Sequence, residues 1–310
     1  MRELLADAAQ RLAAAGIDDP EHDARRLACW AGECTPSELA IRGAGLSSDP
    51  EFTPRFQEAV ERRAKREPLQ WIEGEAAFLD FAVAIGEGAL VPRPETETTA
   101  SVAIEHAPSR GRVLDAGTGS GVLAIALARA HTGAEIHATE RSIPALVWAG
   151  KNKERLAPQV HLHEGWFLGV PESAGPFDLI VSNPPYIPAA DWDGLDPEVR
   201  DHDPRVALVP AGGRAEDGLA DVRLLLTEAP AHLAPGGTFV CEIGHDQGPA
   251  AAEAAAKAAW TNVEIRPDLA GRDRVLVARR PPVPASTIHG KAATDTGTAA
   301  DSHDRPGDSQ

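Results

Sequence analysis

Asp115-Ala116-Gly117-Thr118-Gly119-Ser120-Gly121 constrains this chain more than any other stretch. The segment Arg112-Val113-Leu114-Asp115 leads into it, and Ala124, Leu127 and Ala128 follow at helical spacing. A strand, a glycine-rich turn and a helix are therefore expected in that order. The glycines permit a tight turn and close approach of a ligand to the backbone. Glu140 lies 19 residues beyond Gly121, at the end of the next apolar segment. A carboxylate there can accept hydrogen bonds from a ribose 2′- and 3′-hydroxyl pair. The spacing Gly-x-Gly-x-Gly differs from the Gly-x-Gly-x-x-Gly of nicotinamide sites, and no Gly-x-x-x-x-Gly-Lys-Ser/Thr loop for triphosphate cleavage is present. An adenosine-bearing cofactor is indicated, and the turn alone leaves open which one.

The rest of the chain beyond residue 112 alternates. Strands are expected at 134–139, 160–163, 177–181, 237–243, 261–266 and 272–278, with helices at 144–156, 217–232 and 249–259. That alternation predicts a mostly parallel α/β sheet with an antiparallel edge at its end. Residues 1 to about 75 read instead as helices, with Gly16, Asp19-Pro20 and Thr35-Pro36-Ser37-Glu38 as their stops and starts. Between the two regions, Trp71-Ile72 and Phe78 to Ile85 are expected to be the short strands of a hairpin, broken at Gly74 and Gly86. Val91-Pro92-Arg93-Pro94-Glu95-Thr96-Glu97 then forms a stiff loop before a helix from about 96 to 105, whose dipole favours Glu95 and Glu97 at its start.

The β-branched run Phe177-Asp178-Leu179-Ile180-Val181 stops at Ser182-Asn183-Pro184-Pro185-Tyr186. Neither proline offers an N–H, so the strand ends rigidly there. The Asn183 amide, the Pro184 carbonyl and the Tyr186 ring are placed at a C-terminal strand edge, where open α/β sheets bind ligands. The Asn183 side-chain oxygen and the Pro184 carbonyl can each accept one N–H of a planar amide or amino group, with Tyr186 packed on its face.

Composition excludes several classes. The net charge of −17, with 15 acidic and 10 basic residues in positions 1–75, disfavours a generic phosphate-backbone clamp. The three cysteines, Cys29, Cys34 and Cys241, fit a reducing compartment and suggest neither a disulfide framework nor a metal site. Arg2, Glu3, Asp7 and Arg11 leave no apolar core for a secretory signal, and no stretch of 18 uninterrupted apolar residues occurs. A cytoplasmic protein without a membrane span is expected. Residues 281–310, opening on Pro281-Pro282-Val283-Pro284 and poor in apolar bulk, are read as a disordered tail.

Asp-x-Gly-x-Gly-x-Gly followed by an acidic strand end resembles the S-adenosylmethionine site of class I methyltransferases, and Asn183-Pro184-Pro185-Tyr186 resembles the motif of those that modify planar nitrogens. Pro68-Leu69-Gln70-Trp71-Ile72, the Pro92 to Glu97 loop, Asp201-His202-Asp203-Pro204, Glu216-Asp217-Gly218-Leu219, Glu242-Ile243-Gly244 and Asp268 to Val275 complete, in order, a pattern similar to the peptide-chain release factor glutamine N5-methyltransferases. Three departures stand out. Glu140 replaces a common aspartate, Trp71 a usual tyrosine, and Gly165 an aspartate often found there. A backbone group or a nearby side chain, with His163 and Glu164 available, is expected to replace that aspartate toward an adenine.

The resemblance implies a class I fold with a seven-stranded, mostly parallel sheet and flanking helices, a small helical N-terminal domain and a hairpin linker. The expected divisions are 1–70 for substrate recognition, 71–91 for the linker, 92–280 for the methyltransferase domain and 281–310 for the tail. It implies S-adenosylmethionine as cofactor and, as substrate, the glutamine of a Gly-Gly-Gln loop in a release factor. Asn183, Pro184 and Tyr186 are the expected catalytic residues, with Pro185 joining them against the substrate. Asp115, Gly117, Thr118, Gly119, Gly121, Glu140, Trp166 and Asn183 are expected around the cofactor, and Arg93, Pro94, Glu95, Thr96 and Glu97 are candidate pocket-lining residues. No metal and no stable nucleic-acid partner are expected. Methylation of an exocyclic amino group in RNA or DNA is the competing enzymatic reading, and a non-catalytic adaptor on the same fold is the other.

Overall fold

The computed structural model describes residues 1–211 and 216–281, so the expected tail beyond 281 lies outside the described residues. Five helices open the chain: α1 (Arg2–Ala14), α2 (Pro20–Ala31), α3 (Pro36–Leu46), α4 (Phe52–Ala64) and α5 (Leu69–Glu73). The starts of α2 and α3 follow from side-chain caps. The Asp19 carboxylate accepts the His22 N–H, and Thr35 and Glu38 form a reciprocal capping box, each with proline at the first helical position. Leu12, Leu27, Phe52 and Phe56 fill the core of this unit.

The hairpin departs from expectation. Trp71 and Ile72 are helical, both donating back to the Pro68 carbonyl, and Gly74 ends that turn with φ +78°. The two strands are β1 (Glu75–Phe78) and β2 (Phe81–Ala84), folded at Leu79-Asp80 inside what reads as one apolar run. Leu79 adopts φ +50° there, and its N–H is accepted by Glu97 at 2.9 Å. A partner distant in sequence thus settles a turn that carries no glycine or asparagine signal.

The remaining elements are α6 (Pro94–His106), β3 (Arg112–Ala116), α7 (Val122–Ala130), β4 (Glu135–Glu140), α8 (Ile143–Leu156), β5 (His161–Glu164), β6 (Phe177–Ser182), α9 (Pro197–Arg200), α10 (Arg205–Leu208), α11 (Ala220–His232), β7 (Leu233–Glu242), α12 (Gly248–Lys257), β8 (Thr261–Pro267) and β9 (Asp273–Arg279). Seven strands form one sheet in the order β5-β4-β3-β6-β7-β9-β8. The first five of these are parallel, and β9 runs antiparallel between β7 and β8. The antiparallel strand is therefore next to the edge rather than at it. Both faces are covered, as a parallel sheet requires. Val113, Leu179 and Val181 pack with α6, α7 and α8, while Leu114, Ile180 and Phe239 pack with α11 and α12.

Strand order reverses between β3 and β6, which are hydrogen-bonded neighbours. The glycine turn leaves one and Asn183-Pro184-Pro185-Tyr186 leaves the other, so both signatures open onto the same topological switch point. The helical unit is tied to the segment that follows this turn: Arg63 lies between Asp23 at 2.7 Å and Glu198 at 2.9 Å, and Arg66 reaches Glu198 at 2.5 Å. Among the described residues no helix is long and apolar enough to cross a membrane.

Candidate active site

Asp115, next to the last residue of β3, is completely buried. Its Oδ2 accepts the Thr118 hydroxyl at 2.5 Å and the Ala124 N–H at 3.0 Å, which fixes the glycine turn against the start of α7. Its Oδ1 has no partner among the described residues. Burial pushes the Asp115 carboxyl up to about 7, against the pull of its two donors. A cation beside it would favour the ionised form. The turn itself needs glycine, since Gly117, Gly119 and Gly121 have φ of +79°, +59° and +93°. A Cβ on Gly119 would meet open space, whereas one on Gly117 would press on the Phe167 ring at 3.1 Å.

Glu140 ends β4 at the rim of the cleft. Its Oε2 accepts the Gly119 N–H at 2.9 Å and its Oε1 the Ser142 N–H at 2.8 Å. One side chain therefore holds the tip of the glycine turn and keeps further lone pairs for a ligand. Asn152 on α8, also fully buried, supports the turn from below. It donates to the Ser120 carbonyl at 2.9 Å and pairs with both backbone groups of Ala84. The hairpin is thereby fastened to the turn by a residue that sequence reasoning did not single out.

A cleft runs from this turn to the end of β6. Gly117, Gly119, Glu140, Trp166, Phe167 and Asn183 are among its walls. Trp166 has the Arg141 guanidinium over its ring at 3.6 Å. Neither substitute for the missing aspartate at 165 lines the cleft. His163 Nε2 pairs with His137 Nδ1 at 2.9 Å, and Glu164 is exposed. Gly165 is itself explained by crowding, because a Cβ there would lie 2.6 Å from the Gly169 carbonyl oxygen.

Beyond β6 the turn is braced from several strands. Ser182 donates to the Ala116 carbonyl at 2.6 Å, joining the ends of β6 and β3. Asn183 is half-buried and donates through Nδ2 to Thr96 Oγ1 at 3.1 Å, so Oδ1 is left without a partner among the described residues. Tyr186, the single tyrosine of the chain, donates to Glu242 Oε1 at 3.1 Å. Burial and the adjacent Glu242 carboxylate raise its phenol well above the usual range. Glu242 ends β7 fully buried and also accepts the Thr99 hydroxyl at 2.9 Å. Burial pushes its carboxyl up, opposed by those hydroxyls and by Arg274.

The backbone of the turn is held as closely. Gln247 Nε2 donates to the Tyr186 carbonyl at 2.8 Å and to the Asp217 carbonyl at 2.7 Å. A Cβ on Gly218 would sit 2.1 Å from the Tyr186 carbonyl oxygen, so only glycine lets that segment pass. The Pro92–Glu97 loop stands behind the turn rather than in the cleft wall. Arg93 pairs with the buried Asp203, Thr96 touches Asn183, Glu97 caps the hairpin, and Pro94 and Glu95 are exposed. Glu242, Thr99, Gln247 and Asp203 carry much of this bracing, and sequence reasoning assigned none of them a role. One signal was present: Glu242 is an acid at the very end of a strand, as Glu140 is.

The fit to a methyl donor is direct: a glycine turn with room above Gly119, an acid at the end of β4, and an unpartnered buried carboxylate oxygen below. Switch-point geometry of this kind, on a sheet of this order, defines a class I methyltransferase. The family model for the PrmC N-terminal domain matches residues 3–74, and that for the methyltransferase small domain matches residues 96–193. Release factor glutamine methyltransferases from Deinococcus radiodurans and Cereibacter sphaeroides are 43% and 41% identical, each match covering 90% of this chain and 98% of the relative. The chain belongs to the release factor glutamine methyltransferase family. The relative from Streptomyces coelicolor is 39% identical over 89% of this chain and 96% of its own. A solved release factor-specific protein-(glutamine-N5) methyltransferase from Alicyclobacillus acidocaldarius is 29% identical, covering 64% of this chain and 99% of that one, with a TM-score of 0.39.

Proposed function

We propose that this protein transfers a methyl group from S-adenosylmethionine to the side-chain amide nitrogen of the glutamine in the Gly-Gly-Gln loop of a peptide-chain release factor. The observation that carries the reading is Asn183, which lines the cleft with its Nδ2 tied to Thr96 and its Oδ1 without a partner among the described residues. Family membership supplies the substrate class.

When bound, S-adenosylmethionine supplies a methyl group activated by a sulfonium. Asp115, Gly117, Thr118, Gly119 and Gly121 form its bed, Glu140 takes the ribose hydroxyls, and Trp166 offers a wall. The protein's remaining task is orientation. An amide nitrogen is a poor nucleophile because its lone pair is shared with the carbonyl. Asn183 Oδ1 and the Pro184 carbonyl accept its two N–H groups, and the lone pair is left facing the donor. Pro184 and Pro185 are buried and hold the backbone of the turn stiff. Tyr186 packs its ring on the flat amide, its hydroxyl anchored to Glu242. No group need remove a proton from the amide beforehand.

The helical unit, through the Arg63 and Arg66 ties to Glu198, couples a gripped release factor to the acceptor site. The acidic balance of residues 1–75 and of the whole chain supports a protein partner over stable nucleic-acid binding, and a translation substrate places the reaction in the cytoplasm. The test is incubation with labelled S-adenosylmethionine and, separately, a release factor and RNA, followed by mapping of the label. Label on the Gly-Gly-Gln glutamine is expected. Label on RNA bases alone would overturn the reading, and cofactor binding without transfer to either would indicate an adaptor.

A further inference from the structure

β4 and β5 end side by side, with Glu140 opposite Glu164 in the parallel register. The residues that leave them meet at one rim of the cleft: Arg141 directly after β4, and Gly165-Trp166 directly after β5. The Gly165 N–H donates to the Glu140 carbonyl at 3.0 Å, and the Thr139 hydroxyl donates to the Phe167 carbonyl, so the second segment is fastened to β4 on both sides of Trp166. Within this frame the Arg141 guanidinium lies over the Trp166 ring, 3.6 Å from its centre. That is a van der Waals contact distance, and a planar guanidinium held on one aromatic face has a second flat face to offer.

The same rim is short of carboxylates. Among the described residues, Glu140 is the one acid in the cleft walls, and each of its oxygens already accepts a backbone N–H. Gly165 leaves no space for an acidic side chain, since a Cβ there would lie 2.6 Å from the Gly169 carbonyl oxygen. His163 is paired with His137, and Glu164 is exposed outside the walls. Ser142 contributes a hydroxyl, which donates or accepts as its partner requires and so selects neither.

We propose that Arg141, backed by Trp166, holds the purine of the methyl donor by stacking, and that no side-chain carboxylate reads the purine's exocyclic amino group. The inference rests on the ribose role given above to Glu140 and adds the neighbouring residue, so that one strand end serves both halves of the nucleoside. Bases stack on guanidinium planes as they do on aromatic rings, and such contacts are indifferent to ring substituents because every base has a flat face.

Calorimetric titration with S-adenosylhomocysteine tests this end of the cleft with no methyl acceptor present. Arg141→Ala is expected to raise the Kd by about 5- to 150-fold, the range for loss of one base-stacking contact. Arg141→Lys keeps the charge without the plane and should recover little of it. Arg141 is exposed, so both variants should unfold at the wild-type temperature. A second arm changes the ligand. The analogue of S-adenosylhomocysteine with hydrogen in place of the amino group should bind the wild-type protein within about threefold of the parent, whereas a carboxylate acceptor would make it weaker by about 10-fold or more. A Kd unchanged in Arg141→Ala, or restored in Arg141→Lys, would overturn the stacking role. A loss of about 10-fold or more with the analogue would overturn the absence of a carboxylate reader. Titration of Glu140→Ala judges the ribose contact separately, so failure of that reading and failure of this one are told apart.

Discussion

Replacing Glu140 with alanine should weaken cofactor binding far more than it weakens the fold. Each of its carboxylate oxygens already accepts one backbone N–H, from Gly119 at 2.9 Å and from Ser142 at 2.8 Å, and each has a second lone pair. Hydrogen bonds from ribose hydroxyls to a charged acceptor contribute about 1.5–3 kcal/mol. Their loss corresponds to about 10- to 150-fold in Kd. The tip of the glycine turn loses its tether in the same variant, which works in the same direction. Glu140 packs little apolar surface, so the cost to the fold should be near 1 kcal/mol, or about 2–4 °C in Tm for a domain of this size. Glutamine should not rescue it. Only one of its two terminal atoms accepts, so either Gly119 or Ser142 would face an NH2. Calorimetric titration of S-adenosylmethionine, run beside thermal unfolding, separates the two effects. A Kd within about twofold of wild type in both variants would refute the assignment of Glu140 to the ribose. So would a loss of affinity fully explained by unfolding.

Asn183→Ala should slow methyl transfer by about 30- to 1,000-fold, equivalent to about 2–4 kcal/mol, while cofactor binding persists; single-turnover assays beside titration check this. Burial depresses the affinity of His137 and His163 for protons below the usual 6.5, with like charges in the His137–His161–His163 stack adding to the effect, while Glu135 opposes it at His137. The unfolded chain therefore binds protons more readily, so this contribution to stability is complete above about pH 6.5 and is lost as pH falls below it. Thermal unfolding from pH 7.5 to 5 should show that loss, reduced in His137→Gln. Gly165→Ala should lower Tm, because its Cβ would lie 2.6 Å from the Gly169 carbonyl oxygen and overpacking of this kind costs about 1–3 kcal/mol; an unchanged Tm would show that the 165–169 turn yields freely.

The elements most legible in the sequence are those whose signals are local. The strand, glycine turn and helix around Asp115, the acid 19 residues beyond Gly121 and the Asn-Pro-Pro-Tyr stop each lie within a single stretch, and backbone chemistry dictates their form. Residues that act across the sheet were hidden for the opposite reason. Glu242 meets Tyr186 only because β7 pairs with β6 in the register that sets Ser182 beside Cys241. Asn152 reaches Ala84 and Ser120 only once α8 has packed. The turn at Leu79-Asp80 escaped notice because Glu97, 18 positions away, supplies the partner that a turn residue would normally carry.

The four strands around the switch point divide the labour. On one side, Asp115, next to the last residue of β3, and Glu140 at the end of β4 hold the glycine turn, each carboxylate meeting a backbone N–H. On the other, Ser182 and Glu242 end β6 and β7, and Asn183 follows Ser182 directly. Here the buried carboxylate meets hydroxyls instead. Ser182 then joins the two halves through the Ala116 carbonyl, so the ends of β3 and β6 are held in fixed relation while each side performs its own task.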